Sequence, residues 1–225
     1  MSWKNLTIGL IPDGNRRWAT KYQKSPKEAY CAAAQRTAEV VMTLRNKGVK
    51  QIYIYGASAG NIAHRDPSIL KFLIDAFIET FSTHNDAASG TGVKLSIIGD
   101  TSPIQLSGLE QFDRLKELDD VEATTNCIIA FNHSLSWEIK VAASHCRDAR
   151  EFTGDELIQA LPTINLPQLD MVIRTAGEKR LSGFFPLQTI YAELFFVDTL
   201  WPDFNVFQLE AIMSEYITRK RTFGR

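Results

Sequence analysis

The chain has 225 residues, a hydrophobic fraction of 44% and a formal net charge of −1. This length suits one domain with a substantial buried core, so we treat residues 1–225 as a single domain. The nearly balanced charge provides no global basic field, which argues against nucleic-acid binding and requires any anion site to be local.

No apolar run approaches the roughly 18 residues of a membrane-spanning helix. The first residues, Met-Ser-Trp-Lys-Asn, lack a signal-peptide pattern. The three cysteines have no metal-ligand spacing and are typical of reduced thiols. We therefore expect a cytoplasmic protein without a transmembrane segment.

The first predicted element is a short buried strand over the apolar run Leu6 to Ile11. Pro12 follows, which cannot donate to a strand ladder, and then come the turn pair Asp13-Gly14 and two adjacent arginines. Ligands of open α/β sheets bind at the carboxyl ends of strands. This stretch therefore predicts a phosphate site with one carboxylate free to hold a metal.

Strands and helices alternate along the rest of the chain. Ser25-Pro-Lys-Glu28 is a capping box and predicts a helix from Pro26 to about Asn46. The later predicted elements are a strand at 51–55, a loop at 56–66, a helix over about 70–81, a strand at 93–98, a weak helix at 103–118, a strand at 127–131, a helix ending near 149, a short helix opened by a capping box at 153–156, strands at 171–173 and 192–197, and a last helix capped by Asn205. The alternation predicts an α/β domain with a mostly parallel six-stranded sheet flanked by helices.

A second cluster, the arginine loop (residues 174–182), follows the predicted strand at 171–173. The strand delivers Arg174 at its C-terminal end, Gly177 supplies a tight turn, and Arg180 and Ser182 follow. Guanidinium forks and a hydroxyl on one loop are suited to a diphosphate.

Some of these residues have simpler explanations. The two arginines could equally pair with Glu178 and Asp170 at the surface, and the residues alone leave that choice open. A third cluster, Ser58 and Asn61, can relay a proton, but serine and asparagine are also usual turn residues. Taken alone, this third cluster favours the turn interpretation.

In this order, the motifs resemble those of the cis-prenyltransferases, the undecaprenyl diphosphate synthase family. The segment from Pro12 to Trp18 matches the Asp-Gly-Asn-x-Arg-Trp signature, and residues 173–182 match the second signature. Tyr191-Ala-Glu-Leu-Phe-Phe and Leu200-Trp-Pro-Asp-Phe204 match the C-terminal block. The resemblance covers nearly the whole chain.

The resemblance implies a Mg²⁺-dependent enzyme that works as a homodimer. Asp13 would hold Mg²⁺ against a diphosphate, and Glu193 would contribute to the same metal site. The allylic substrate would be bound by the residues after Asp13, namely Gly14, Asn15, Arg16, Arg17 and Trp18. The second substrate would be bound by the arginine loop, through Arg174, Arg180, Leu181 and Ser182.

Three departures from the chain-elongating members resemble the irregular, lavandulyl-type branch. Tyr30 replaces the histidine of the first long helix, the Glu-Asn-Trp element keeps only Ser58 and Asn61, and Asn132-His-Ser-Leu135 replaces Asn-Tyr-Gly-Gly. That branch joins an allylic donor head to middle onto a second allylic unit, usually dimethylallyl diphosphate. In this context Tyr30 would contact substrate, while Ser58 and Asn61 would relay the proton lost after coupling.

Three other functions remain open. The chain could be a short-chain head-to-tail enzyme that uses isopentenyl diphosphate, or it could transfer a prenyl group to a non-isoprenoid acceptor. It could also be a catalytically silent partner subunit. The last is disfavoured because such subunits usually lose residues that this chain retains, namely Asp13, Arg174 and Arg180.

Overall fold

A computed structural model describes residues 3–58, 67–85, 92–102, 123–146, 151 and 153–220, and within 67–85 the side chains of residues 71–80. The strands are β1 (Thr7–Ile11), β2 (Gln51–Ser58), β3 (Val93–Ile98), β4 (Thr125–His133), β5 (Met171–Arg174) and β6 (Glu193–Phe196). The helices are α1 (Asn15–Lys21), α2 (Pro26–Asn46), α3 (Pro67–Asn85), α4 (Leu135–His145), α5 (Gly154–Gln159) and α6 (Val206–Thr218), and a 3₁₀ turn spans Trp201–Asp203.

The six strands form one sheet in the order β3-β4-β2-β1-β5-β6. Every neighbouring pair is parallel, which confirms the predicted class and makes the sheet fully rather than mostly parallel. β1 lies between β2 and β5, and Ile11 at its end is in register with Arg174 at the end of β5. The segments that follow these two strands therefore emerge side by side at one edge of the sheet.

The predicted helix starts are confirmed by their caps. At α2 the Ser25 hydroxyl accepts a hydrogen bond from the Glu28 backbone N–H at 3.2 Å, and the Glu28 carboxylate accepts one from the Ser25 N–H at 2.9 Å. The latter bond is the main reason that the pKa of Glu28 falls to about 2. The same reciprocal arrangement opens α5 at Thr153, and Asn205 caps α6 as predicted.

Some predicted boundaries were wrong. β2 continues to Ser58 instead of ending at residue 55, because two register shifts near Ala57 let small residues keep pairing with β4. Ser58 is thus a strand residue and does not belong to the predicted loop. α4 ends at His145. The weak helix predicted at 103–118 lies outside the described residues.

The two faces of the sheet are covered differently. On one face α2, α3 and α6 pack with buried side chains that include Leu44, Ile74 and Met213. The other face is covered by a smaller apolar cluster that contains Phe184 and Phe185, just beyond the arginine loop. No helix in the described ranges has the length and hydropathy needed to cross a membrane.

Candidate active site

A cavity of about 830 Å³ opens at the edge of the sheet where β1 and β5 end. Its polar part is formed by the first motif (residues 12–18) and the arginine loop, and its apolar part by α2, α3 and the end of β2. Its lining includes Asp13, Gly14, Asn15, Arg16, Arg17, Tyr30, Ala33, Tyr55, Ala57, Ser58, Leu73, Phe77, Arg174, Glu178, Arg180, Ser182 and Trp201. The cavity therefore suits a ligand with a charged head and an apolar tail.

The backbone of Asp13 is held from both sides. The Thr175 hydroxyl accepts a hydrogen bond from the Asp13 N–H at 2.9 Å and donates one to the Asp13 carbonyl at 2.8 Å, while the Trp201 N–H donates to that carbonyl at 3.0 Å. Gly14 follows with φ at +100°, and a Cβ there would lie 2.8 Å from Leu200 Cδ2. A glycine is required at this turn both by backbone conformation and by space.

Three arginines and two carboxylates alternate along the mouth of the cavity, and we call this row the charge chain. Arg174 Nη2 lies 2.8 Å from Asp13 Oδ2, and Arg17 Nη2 lies 4.0 Å from Asp13 Oδ1. Arg17 Nη2 is also 3.4 Å from Glu178 Oε1, and the second oxygen of Glu178 is hydrogen-bonded to Arg180. The charge chain thus links the first motif to the arginine loop and carries one net positive charge.

The arginines of the arginine loop have different environments. The Arg174 side chain is 5% exposed and donates to the Ser182 hydroxyl at 3.0 Å and to the Arg180 carbonyl, in addition to Asp13. Its Nε has no hydrogen-bond partner in the described ranges. The side chain of Arg180, by contrast, is 61% exposed. Arg174 is built into the protein, whereas Arg180 is accessible to a ligand.

The simpler explanation, that Arg174 and Arg180 pair with Glu178 and Asp170 at the surface, is partly correct. Arg180 does pair with Glu178, as that explanation requires. The carboxylate of Asp170 accepts instead from the Thr7 N–H at 2.9 Å, and Arg174 pairs with Asp13.

The arginine loop has a strained backbone. Two loop residues other than glycine, and one just beyond the loop, adopt positive φ, namely Ala176 at 71°, Ser182 at 54° and Phe185 at 38°. Such conformations cost free energy and persist only where the surroundings hold them. The Tyr55 hydroxyl donates to the Ser182 carbonyl at 3.0 Å, and the His133 ring stacks on Phe185 with centroids 4.8 Å apart.

His133 belongs to a buried network beneath the arginine loop. Its Nε2 lies 2.7 Å from Glu138 Oε1, and both side chains are at most 1% exposed. The other oxygen of Glu138 accepts from the Thr163 hydroxyl, and the Thr163 carbonyl accepts from Gln188 at 2.8 Å. This network connects β4 and α4 to the segments on either side of β5 and supports the loop from below.

Two residues of the predicted site stand at the apolar part of the cavity. Tyr30 is 2% exposed, and its hydroxyl has no hydrogen-bond partner within the part of the chain that the structure describes. Ser58 forms a hydrogen bond with the hydroxyl of Tyr55. Burial raises the pKa of Tyr55, and it outweighs the lowering effects of the Ser58 hydrogen bond and the Arg174 charge. Asn61 lies outside the described residues.

Two predicted substrate residues lie beside the cavity instead of in its lining. The Trp18 ring N–H donates to Asp203 at 2.7 Å, which fixes α1 to the 3₁₀ turn. Leu181 packs against the apolar cluster that contains Phe184 and Phe185. Both residues therefore shape the loops that carry the ligand-facing side chains.

The structure does not bring Glu193 to Asp13. Glu193 pairs in register with Met171, which in turn pairs with Ile8 near the start of β1, whereas Asp13 follows the end of β1. The Glu193 carboxylate instead accepts from Arg219 at 2.8 Å. A metal site shared by Asp13 and Glu193 of one chain is thus not supported. Within the described ranges, no group of three or more histidine, cysteine, aspartate or glutamate side chains forms a metal site.

Three residues of the site were missed or undervalued from the sequence. Thr175 holds Asp13, Tyr55 joins Ser58 to the arginine loop, and Glu178 lies between two arginines. A tyrosine in a strand is read as a strand former, and a glutamate near arginines as a surface partner. Their positions beside the ends of predicted strands were the sequence signal that could have placed them in the site.

The comparisons with known proteins agree with this geometry. The family model described as "Putative undecaprenyl diphosphate synthase" matches residues 11–224. An isoprenyl transferase of Streptococcus mutans is 34% identical, covering 96% of this chain and 92% of the relative. A farnesyl-diphosphate-specific ditrans,polycis-undecaprenyl-diphosphate synthase of Pasteurella multocida is 30% identical, covering 96% and 93%.

A solved structure shares the fold. The crystal structure of lavandulyl diphosphate synthase from Lavandula x intermedia in complex with dimethylallyl diphosphate has a TM-score of 0.81, at 24% identity over 97% of this chain and 98% of that one. The chain belongs to the undecaprenyl diphosphate synthase family, the cis-prenyltransferases. It is a prenyltransferase that makes a prenyl diphosphate.

Proposed function

We propose that this enzyme couples an allylic diphosphate head to middle onto dimethylallyl diphosphate and gives a lavandulyl-type product. One observation carries the proposal: a single cavity joins the first motif and the arginine loop to an apolar wall that contains Leu73 and Phe77. Two charged heads and two short apolar tails can share such a space. Its volume, about 830 Å³, lies in the usual range for small-molecule sites.

The charged residues divide into two groups along the cavity mouth. Arg16 and Arg17 would bind the allylic diphosphate, whose C–O bond ionises, and their charge stabilises the leaving group as it develops. Arg180 and Ser182 would bind the second diphosphate. Arg174 would act mainly by holding these two groups at a fixed separation, because its Nη1 and Nη2 atoms already donate to protein atoms.

Mg²⁺ is the proposed cofactor, and the site fits it. Mg²⁺ is usually held by one or two carboxylates together with substrate phosphates, and Asp13 offers a carboxylate that is 35% exposed at the cavity. The charge chain carries one net positive charge, which is too little to neutralise two diphosphates. When bound, the ion would supply that missing charge and stabilise the departing diphosphate.

The departures from the chain-elongating pattern support the head-to-middle assignment. Tyr30 and Ser58 place hydroxyl groups where the tails of the substrates would meet. After coupling, one proton must leave the carbocation, and we assign its transfer to Ser58 with Asn61 towards a diphosphate. The lavender enzyme was solved with dimethylallyl diphosphate, but a likeness at 24% identity supports only the fold.

Two further parts of the proposal follow from the family resemblance. The chain would form a homodimer, for which the exposed side chains of Ile190 and Tyr191 next to β6 offer an apolar surface. It would work in the cytoplasm.

The decisive experiment supplies dimethylallyl diphosphate as the sole substrate with Mg²⁺. The product is dephosphorylated and identified by gas chromatography with mass spectrometry and by NMR. We expect a branched ten-carbon alcohol in this arm and no product in a parallel arm with excess EDTA. An enzyme that forms product only after isopentenyl diphosphate is added would refute the head-to-middle assignment.

The same assay separates the other functions. A linear Z-alkene formed with isopentenyl diphosphate would identify a head-to-tail enzyme, to which the names of the bacterial relatives point. Release of diphosphate without a new C–C bond, on addition of a nucleophile, would identify a different acceptor. An Asp13→Ala variant as active as the parent would indicate a silent subunit.

A further inference from the structure

Glu178 lies between the two arginines that the proposed function assigns to different substrates. Its Oε1 is 3.4 Å from Arg17 Nη2, and its Oε2 accepts a hydrogen bond from Arg180 Nη1. The side chain is 30% exposed and lines the cavity. One carboxylate thus engages the donors on both sides that two diphosphates would need.

A carboxylate and a diphosphate compete for the same guanidinium donors. Both offer anionic oxygens that form charge-assisted hydrogen bonds. The side chains of Arg17 and Arg180 are 51% and 61% exposed, so water screens their pairs with Glu178. An exposed ion pair of this kind changes binding by only about two- to fivefold, which a substrate can overcome.

The arginine loop does not need Glu178 to keep its shape. Arg174 donates to the Arg180 carbonyl and to the Ser182 hydroxyl, and the Tyr55 hydroxyl donates to the Ser182 carbonyl. These contacts hold the backbone from the buried side. The pairs made by Glu178 join exposed side-chain ends and leave the backbone unconstrained.

We propose that Glu178 competes with diphosphate for Arg17 and Arg180 and thereby speeds the release of inorganic diphosphate after each condensation. In that reaction the allylic C–O bond breaks, its electron pair leaves with the diphosphate, a C–C bond forms, and one proton is lost. A free diphosphate remains beside Arg17. Glu178 is in position to replace it. The inference rests on the proposed assignment of these arginines to the substrates.

Glu178→Gln tests the inference, because it keeps the shape of the side chain and removes its charge. Isothermal titration with inorganic diphosphate, performed in EDTA to exclude any metal, should give about two- to fivefold tighter binding than wild type. Inhibition of turnover by inorganic diphosphate should strengthen by the same factor, and kcat and KM should fall together. Glu178→Ala should change binding in the same direction.

Glu210 provides the matched control. It is a glutamate on α6 that pairs with Lys47 at 3.0 Å, with 42% of its side chain exposed. Glu210→Gln should bind inorganic diphosphate as the wild type does. The inference would be overturned if Glu178→Gln and Glu178→Ala both bound inorganic diphosphate as the wild type does, or if both bound it more weakly.

Two more variants distinguish this failure from failure of the proposed function. Arg17→Met and Arg180→Met should each weaken the binding of inorganic diphosphate. If both bind it as wild type does, the assignment of the diphosphates to these arginines is wrong, and the inference falls with it. If both weaken binding while the Glu178 variants do not tighten it, only the role of Glu178 is wrong.

Discussion

The carboxylate of Asp13 and the guanidinium of Arg174 lie 2.8 Å apart, and the Arg174 side chain is almost completely buried. This pair joins the first motif to the arginine loop across the neighbouring ends of β1 and β5. A cation buried against one carboxylate is costly to leave alone. The pair is therefore expected to contribute both to stability and to the geometry of the site.

Asp13→Asn separates these contributions. It should lower turnover by at least about 100-fold, because the negative charge that we propose holds Mg²⁺ is lost. It should also lower the free energy of unfolding by about 1–3 kcal/mol, less than for a fully buried pair because Asp13 is partly exposed. Urea denaturation and a turnover assay measure the two effects. The control is Asp75→Asn, which removes a surface pair with Lys71 and should change neither.

Arg174→Met and Arg180→Met should behave differently, although the sequence treats the two arginines alike. Arg174→Met should destabilise the protein by about 1–3 kcal/mol, because three acceptors lose their donor. Arg180→Met should leave the free energy of unfolding within about 0.5 kcal/mol of wild type. It should instead raise the KM for the second substrate about tenfold. Equal destabilisation by both variants would contradict this division of roles.

Tyr30→Phe should leave the stability of the free enzyme unchanged or raise it, but should lower its catalytic efficiency. Removing a buried hydroxyl that lacks a partner among the described residues should leave the melting temperature unchanged or raise it. If that hydroxyl donates to substrate, kcat/KM for dimethylallyl diphosphate should fall about tenfold or more. Unchanged kinetics in a stable variant would remove Tyr30 from the site.

Thr175 is expected to act through Asp13. Thr175→Val keeps the shape but loses both hydrogen bonds to the Asp13 backbone, so kcat should fall while the KM for the second substrate changes little. Thr175→Ser keeps the hydroxyl and should restore kcat. Steady-state kinetics of the two variants test this role. If Thr175 were purely structural, the loss and the recovery on changing to valine and serine would not be confined to kcat.

The capping box at α2 predicts a pH dependence. The pKa of Glu28 falls from 4.5 to about 2 on folding, so its charge stabilises the folded state above pH 4.5 and loses that effect as the pH falls towards 2. Glu28→Gln should therefore melt below wild type at pH 7, and the difference should vanish near pH 2. A difference that does not change with pH would mean that only the hydrogen bonds matter.

The sequence was a good guide wherever local chemistry determines structure. Capping residues define where α2 and α5 begin, and strand ends carry Asp13 and Arg174 to one edge because the sheet is parallel. It could not provide side-chain pairing between distant segments. The contacts of Arg17 with Glu178 depend on which strands become neighbours.

The placement of Glu193 illustrates the same limit. Its position in a family-like motif suggested a metal ligand, but its distance from Asp13 is determined by the register of β6 on β5 and of β5 on β1. Register results from the packing of whole strands, which no short motif encodes. The extension of β2 to Ser58 arises in the same way, from pairing with β4.

The central position of β1, between β2 and β5, has a consequence for folding during translation. Asp13 leaves the ribosome well before the residues that hold it, which are Thr175, Arg174 and Trp201. A chain still being synthesised can pair β1 with β2 but cannot assemble the mouth of the cavity. Substrate binding should therefore become possible only after Trp201 has been synthesised, so that a chain truncated before this residue cannot sequester prenyl diphosphates.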